Sequence, residues 1–172
     1  TLVAGGSLYS LTDANIFIDL IKLQLLGYLF SVDVEIHTTR EVVDQLNAGQ
    51  YEKVDSFIQA KVLKVYNFSS EELTEIVEMN APKSLEFPDK TVVYLAIKLS
   101  AEVLTGDGPL RKFCTSNQLT VRGIIWLFDI FLNAELINHT VAIEKMNYLL
   151  SFNDRLPKDE CMNRLKQWEI KK

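Results

Sequence analysis

Apolar and polar positions follow two different periods along the chain. Short runs rich in β-branched residues indicate strands, and longer runs with apolar residues three to four positions apart indicate helices. Strands are predicted at LYSLTD, VDVEIHTT, KVLKVYNF, AEVLTGD and LTVRG. Because helices separate these strands, right-handed crossovers and a parallel sheet covered on both faces are expected. The predicted fold class is α/β, a three-layer α/β/α arrangement around a mainly parallel sheet of about five strands.

Several predicted helices have recognisable starts. Thr38 or Thr39 can cap the helix REVVDQLNAGQ, which YEKVDSFIQA follows as a second helix, and Ser69 or Ser70 can cap EELTEIVEMN. The segment IFIDLIKLQLLGYLF is predicted as one helix with a wide apolar face. Residues 124–172 are predicted to be helical apart from a break near NDRLPKDE, where a proline starts the last helix.

Length and composition favour one compact domain. The chain has 172 residues, of which 48% are hydrophobic, enough for a substantial core. We expect a flexible start over residues 1–10 and a single domain over 8–172 with a helical C-terminal extension. Asp, Lys or Gln interrupts every long apolar run before membrane-spanning length, and no signal-peptide pattern opens the chain. A cytoplasmic protein is therefore expected, with Cys114 and Cys161 as buried reduced thiols.

Charge alone does not indicate a nucleic-acid-binding protein. The formal net charge is −5, which argues against a chain that grips nucleic acid by its own positive charge. Bound cations can reverse the sign of an acidic site, so a nuclease stays open.

Three aspartates occupy corresponding places in the predicted fold. Asp13 ends the first strand, Asp107 ends the fourth, and Asp89 lies in the first turn of the helix between them. Residues at the carboxyl ends of parallel strands share one crevice, although each acid alone could equally cap a helix. Neighbouring carboxylates raise one another's pKa unless a cation holds them ionised. Oxygen ligands without histidine or cysteine favour Mg²⁺ or Mn²⁺.

Three segments carry a resemblance to the PIN-domain family. LTDANIFIDL resembles the family's opening motif, an Asp, any residue, then Asn or Ser, before an apolar helix. KSLEFPDKTVVYLAIKLSAEVLTGDGPLRKF resembles its central block, with an Asp at a helix start and a strand ending in Thr, any residue, Asp. RGIIWLFDIFLNAELI resembles a subgroup in which Gly follows the fifth strand. The resemblance covers residues 11–137.

This resemblance implies a metal-dependent endoribonuclease that hydrolyses RNA phosphodiester bonds. Asp13, Asp89 and Asp107 would then be catalytic acids that hold Mg²⁺ or Mn²⁺ as cofactor. Asn15 would orient Asp13 and hold its loop, and Thr105 would fix Asp107 or a water molecule at the metal.

The resemblance also implies partners. PIN-like toxins typically dimerise and are inhibited by a small antitoxin protein, so a homodimer and a role as the toxin of a toxin–antitoxin pair are expected. The apolar helices at residues 16–30 and 124–137 hold more hydrophobic residues than one buried face requires, which indicates a covered surface.

One position departs from the family pattern. The family places a Glu before a Leu in the second helix, and this chain has Gln45 there. Glu41 lies one predicted helical turn earlier on the same face, whereas Asp44 points about 100° away and is the weaker substitute. A missing acid would weaken metal binding, so a catalytically impaired PIN-fold protein that binds a partner or RNA without cutting is the alternative.

Other interpretations have less support. TGDGPLRK also resembles the Gly-Asp-Gly loop of haloacid dehalogenase-like phosphatases, but those enzymes need a second Asp where Asn15 stands. Arg111 and Lys112 lie one turn beyond Asp107, within reach of a phosphate backbone, although a solvated helix face is the simpler interpretation.

Overall fold

Five parallel strands form the centre of the fold. The computed structural model describes residues 8–172. The strands are β1 (Tyr9–Thr12), β2 (Glu35–Thr39), β3 (Leu63–Tyr66), β4 (Glu102–Leu104) and β5 (Val121–Arg122). Their order in the sheet is β3-β2-β1-β4-β5, and every neighbouring pair is parallel. The predicted three-layer α/β/α fold is confirmed.

Ten helices occur among the described residues. They are α1 (Ala14–Lys22), α2 (Leu26–Leu29), α3 (Arg40–Val43), α4 (Ala48–Gln59), α5 (Ser70–Glu78), α6 (Phe87–Leu99), α7 (Gly108–Ser116), α8 (Ile124–Asn133), α9 (His139–Phe152) and α10 (Lys158–Lys171). Over residues 8–172, no helix is long and apolar enough to cross a membrane. The flexible start predicted for residues 1–10 lies mostly outside the described residues, although Tyr9 and Ser10 belong to β1.

The strand order creates a crevice beside β1. From β1 the chain builds the sheet towards β2 and β3 on one side, and later towards β4 and β5 on the other. Thr12 of β1 pairs with Leu104 of β4, and the Asp13 backbone N–H donates to the Leu104 carbonyl at 3.2 Å. The carboxyl ends of β1 and β4 are therefore held side by side at the switch point, where α/β sheets bind their ligands.

The long apolar segment near the start is two helices. α1 ends at Lys22, and Gln24 adopts a left-handed φ of 58° before α2 begins. The Leu25 N–H donates to the Leu20 carbonyl at 2.9 Å and the Gln24 N–H to the Ile21 carbonyl at 3.1 Å, which is a Schellman ending. The prediction of one helix was wrong because the apolar residues surround the whole circumference, and only a turn brings them all into the core.

The segment after β2 also divides differently from the prediction. Thr39 caps α3, which ends at Val43, and Asn47 begins α4 with a capping box. The Asn47 side chain accepts from the Gln50 N–H at 2.9 Å, and the Gln50 side chain accepts from the Asn47 N–H at 3.0 Å. The predicted helix through residues 40–50 was wrong because this asparagine bonds to the backbone as a cap.

The C-terminal helices cover the apolar surface of α8. Phe128 of α8 packs against Trp168 of α10, and Phe131 packs against Tyr28 of α2. The predicted break before the last helix is confirmed, with Pro157 at the N-cap of α10. A second break was not predicted, and there Asn138 caps α9. The hydrophobic excess of residues 16–30 and 124–137 is largely buried within the chain, so it no longer indicates a surface covered by a partner.

Asn47→Ala should lower the free energy of unfolding by about 1 kcal/mol, because it removes the side chain that caps α4. In a continuous helix over residues 40–50, the same substitution would raise it, since alanine has the higher helix propensity. Urea unfolding of the two proteins gives the sign.

Asn163→Ala is the matched control for that experiment. Asn163 is exposed in the interior of α10, where an Asn-to-Ala change should be neutral or slightly stabilising. A loss of stability no larger for Asn47→Ala than for Asn163→Ala would contradict the capping role.

Candidate active site

Asp13 lies at the N-terminus of α1 and is almost completely buried. Only 4% of the residue is exposed. One carboxylate oxygen, Oδ1, accepts from the Ile16 N–H at 3.0 Å, and Oδ2 accepts from the Thr105 hydroxyl. Burial raises the pKa of Asp13 from 3.8 to about 6; the two hydrogen bonds oppose that rise, and the charges of Asp89 and Asp107 add to it. The carboxylate is thus fixed in orientation but poorly solvated.

Thr105 connects the two strand-end aspartates. Its side chain is fully buried, and its hydroxyl donates to Asp13 while accepting from the Asp107 N–H at 3.0 Å. Its own N–H donates to the Arg122 carbonyl at 3.0 Å, and its carbonyl accepts from Arg111 Nη2 at 3.1 Å. Thr105 therefore fixes the position of the Asp13 carboxylate relative to the start of α7.

Asp107 and Asp89 lie in the first turns of two helices. Asp107 is the N-cap of α7; its Oδ2 accepts from the Leu110 N–H at 3.0 Å, and its Oδ1 lies 3.6 Å from Arg155 Nη1. Asp89 lies in the first turn of α6, where its Oδ2 accepts from the Glu86 N–H at 3.0 Å. Burial raises the pKa of Asp89, and the charges of Asp107 and Glu86 add to the rise.

The three aspartates act on one another electrostatically. Asp89 and Asp107 each raise the pKa of Asp13, and Asp107 raises that of Asp89. Burial, followed by the charges of Asp13 and Asp89, raises the pKa of the Cys114 thiol to about 12, so this buried cysteine stays protonated. Within residues 8–172, however, no three His, Cys, Asp or Glu side chains form a group close enough to hold a metal ion. The charges of the three aspartates therefore affect one another's pKa, although their side chains do not form a compact group.

Glu41 supplies an unsatisfied acceptor near the same edge of the sheet. It lies in the first turn of α3, directly after β2, and its Oε2 is buried without a hydrogen-bond partner. The start of α3 is tied to α6 by a 2.8 Å hydrogen bond between Thr39 and Thr91, two residues beyond Asp89. Since a buried unpartnered carboxylate oxygen is costly, this position suits a cation or a water molecule.

Gln45 and Asp44 differ from Glu41 in their exposure to solvent. Gln45 lies beyond the end of α3, and both Gln45 and Asp44 are exposed. The predicted helical face shared by Glu41 and Gln45 does not exist, because the helix ends between them. Oxygen ligands suit a hard cation, and the carboxylates near this edge of the sheet are those of Asp13, Asp89, Asp107 and Glu41.

Three of the sequence-predicted residues have contacts that differ from expectation. The hydrogen bonds that orient Asp13 come from Ile16 and Thr105, so Asn15 does not orient it and instead lines an adjacent cavity. Arg111 turns towards Thr105, and a Cβ on Gly123 would come within 3.1 Å of its Nη2. Lys112 lines a separate surface depression beside Phe113.

The sequence interpretation missed the loop between α9 and α10. Arg155 of this loop pairs loosely with Asp107, and Asn153 donates from Nδ2 to Asp19 Oδ2 at 2.8 Å. These partners are separated by 48 and 134 residues in the chain, so no local pattern could have revealed the contacts. The loop closes one side of the adjacent cavity, whose volume is about 720 Å³.

The pKa of Asp13 makes stability depend on pH. The group binds its proton more tightly in the folded state, so the unfolded chain loses its proton first as pH rises from about 4 to about 6. Relative to Asp13→Asn, the metal-free wild-type protein should lose on the order of 3 kcal/mol of stability across that window. Urea unfolding of both proteins at several pH values, with chelator present, measures the difference. The raised pKa is contradicted if the stability of the wild-type protein, relative to that of Asp13→Asn, stays constant or rises with pH.

Comparison with known proteins identifies the family of the chain. A family model described as a PIN domain matches residues 10–169, which includes all four carboxylates and the α9–α10 loop. No curated protein matches the chain. PIN domains are in general nucleases, and a family match over more than nine-tenths of this chain is decisive for membership. The chain belongs to the PIN-domain family.

Proposed function

We propose that this protein is an endoribonuclease that hydrolyses RNA phosphodiester bonds with Mg²⁺ or Mn²⁺ as cofactor. The observation that carries the proposal is the buried Asp13 carboxylate, held by Thr105 in the electric field of Asp89 and Asp107. Family membership supports the reaction class, because PIN domains are in general nucleases.

Four carboxylates would hold the cation. Asp13, Asp89, Asp107 and Glu41 offer only oxygen ligands, and the unpartnered Glu41 Oε2 and the raised pKa of Asp13 and Asp89 are what a bound cation would relieve. When bound, such a cation lowers the pKa of water and offsets negative charge that develops on the phosphate. The proposed roles of the four residues rest on this chemical fit.

Thr105 and Ile16 are proposed as positioning residues. Their hydrogen bonds fix both oxygens of Asp13 before any ligand arrives, so the orientation costs nothing further at the moment of reaction. Asp107 is also held, by the Leu110 N–H, with Arg155 as a loosely bound counter-charge at 3.6 Å. Ligand binding at Asp107 would free Arg155 for a phosphate group.

The biological role is proposed from the family resemblance. We propose a toxin that is inhibited by a small antitoxin and that forms a homodimer in the cytoplasm.

A PIN-fold protein that binds RNA without cutting it is the second candidate. Two observations favour it: exposed Gln45 stands at the family's Glu position, and residues 8–172 contain no preformed group of metal ligands. Cleavage is what separates the two candidates.

Wild-type protein should cleave single-stranded RNA in the presence of Mn²⁺ and lose that activity with chelator. Asp13→Asn should abolish cleavage, because the amide keeps the cap of α1 but removes the charge. Gel analysis of end-labelled RNA measures both. RNA binding by the wild-type protein with no cut under either metal would support the non-cutting candidate instead.

Glu41→Gln tests the substitute acid. It should raise the Mn²⁺ concentration for half-maximal cleavage by roughly tenfold or more, the scale seen when supporting groups of a metal site are lost. Asp44→Asn is the matched control, since Asp44 is exposed and one helical step from the end of α3. The assignment is wrong if Asp44→Asn has the larger effect in a Mn²⁺ titration of initial rates.

Mn²⁺ should also raise the melting temperature of the wild-type protein. A ligand that binds only the folded state stabilises it by about 2.7 kcal/mol at a hundredfold excess over Kd. Asp13→Asn should respond to Mn²⁺ much less, because it lacks one of the proposed ligands. Thermal melts of both proteins, with chelator and with Mn²⁺, test this. Equal shifts in the two proteins would place the bound ion elsewhere.

A further inference from the structure

A cavity of about 720 Å³ lies directly beside Asp13 and Asp107. It does not include the carboxylates themselves, but Gly106 and Gly108 on its wall flank Asp107, and Asn15 on its wall follows Asp13 by two residues. The opposite wall comes from the α9–α10 loop, including Arg155. Its volume falls within the roughly 300–1,000 Å³ of typical small-ligand pockets.

The charges on the cavity wall differ in sign from those of the chain as a whole. Four arginines line it against three acids, whereas the chain carries a formal net charge of −5. Two of the arginines are already engaged: Arg164 donates to both carboxylate oxygens of Asp129, at 3.0 and 2.9 Å, and Arg111 donates to Thr105. The cavity wall therefore carries a small excess of positive charge beside the acidic site.

The other two arginines are only loosely bound. Arg155 lies 3.6 Å from Asp107 with a side chain that is 55% exposed, and Arg122 lies 3.5 Å from Glu102 with a side chain that is 42% exposed. The Arg122 Nε is buried without a hydrogen-bond partner. These guanidinium groups can turn to an incoming phosphate without breaking a short hydrogen bond.

An aromatic side chain accompanies these cations. Trp126 of α8 lines the cavity, and the guanidinium of Arg122 lies 5.4 Å from the centre of its ring. Asn15 and Asn153 add amide groups to the same wall. An aromatic face beside arginines is the combination with which proteins hold unpaired bases, by stacking and backbone charge.

We propose that this cavity binds one nucleotide of a single-stranded RNA, immediately next to the phosphate that lies at the carboxylates. The base would lie against Trp126, and the phosphate of that nucleotide would contact Arg155 at the rim beside Asp107. A single strand fits because a base inside a duplex cannot leave its stack to enter a cavity at low cost. The choice of RNA as ligand rests on the proposed function.

Binding is measured without cleavage, so that the cavity and the reaction are tested separately. The probe is a fluorescein-labelled single-stranded hexaribonucleotide, titrated with the full-length protein in chelator and followed by anisotropy. Trp126→Leu should weaken binding by about five- to a hundredfold, since stacking of one base contributes about that factor. Arg155→Ala should weaken binding by about tenfold or more, because it removes a charged hydrogen bond to the phosphate. Trp126→Phe keeps an aromatic face and should lie closer to wild type than Trp126→Leu.

Lys64→Ala is the matched control. It also removes one positive charge, but Lys64 is exposed on β3, at the opposite edge of the sheet from β5. It should change affinity less than twofold if binding depends on the cavity. Thermal melts of each variant establish that it is folded before its affinity is compared.

The outcomes separate this inference from the proposed function. If the wild-type protein cleaves RNA but Arg155→Ala and Trp126→Leu bind like wild type, or like Lys64→Ala, the cavity is not the nucleotide site while the ribonuclease stands. No binding by the wild-type protein at its highest soluble concentration also overturns the inference. If both variants lose affinity and no metal supports cleavage, the nucleotide site stands while the ribonuclease falls.

Discussion

The pairing of β1 with β4 at their carboxyl ends is the constraint on which the site depends. The Asp13 N–H donates to the carbonyl of Leu104, the last residue of β4. The hydroxyl of Thr105, the next residue, donates to the Asp13 carboxylate. These two contacts join segments more than ninety residues apart in the chain. Because the Asp107 N–H donates to the same Thr105 hydroxyl, this hydroxyl also fixes the position at which α7 starts. A one-residue slip in the strand register would reverse the side-chain faces and lose this arrangement.

Burial of the Asp13 carboxylate opposes the stability of the folded protein. A carboxylate with 4% exposure has lost most of its hydration, and Asp89 and Asp107 add like charge. The two hydrogen bonds to Asp13 offset only part of this cost, since its pKa is still raised to about 6. Glu41 adds a buried oxygen without a partner. Such costs at one end of a sheet are characteristic of functional sites, where the ligand supplies what the protein lacks.

The acidic site and the cationic cavity are assembled from different parts of the chain. Asp13, Asp89 and Asp107 lie at strand ends or in first helical turns, where a dipole favours a negative charge. The cavity wall that faces them comes from β5, α8 and the α9–α10 loop. A chain with net negative charge can thus present positive groups where a phosphate would lie, since local potential depends on placement and not on the sum.

The local sequence pattern was sufficient to predict the fold class and the positions of most strands. Alternation of β-branched runs with helical runs allows few arrangements besides a parallel sheet with right-handed crossovers, and the five predicted strands all appear. The caps at Thr39 and Ser69 were among those predicted, because capping is chemistry between residues two or three positions apart. The ends of the helices were harder to predict from the sequence. The turn at Gln24 depends on whether neighbouring apolar residues reach the core, which a sequence window does not contain. The capping box at Asn47 is a local pattern that was not predicted.

By itself, the sequence determined that Asp13 and Asp107 would lie at one edge of the sheet, because the carboxyl ends of parallel strands share that edge. Only the tertiary structure decided which groups complete the surroundings. It exposed Gln45, buried an oxygen of Glu41, turned Arg111 to Thr105 and brought Arg155 to Asp107. Each of these depends on side-chain direction or on a contact between distant segments. Spacing along the sequence determines which residues are neighbours within one helix or strand. Contacts between different helices and strands are determined only by tertiary packing.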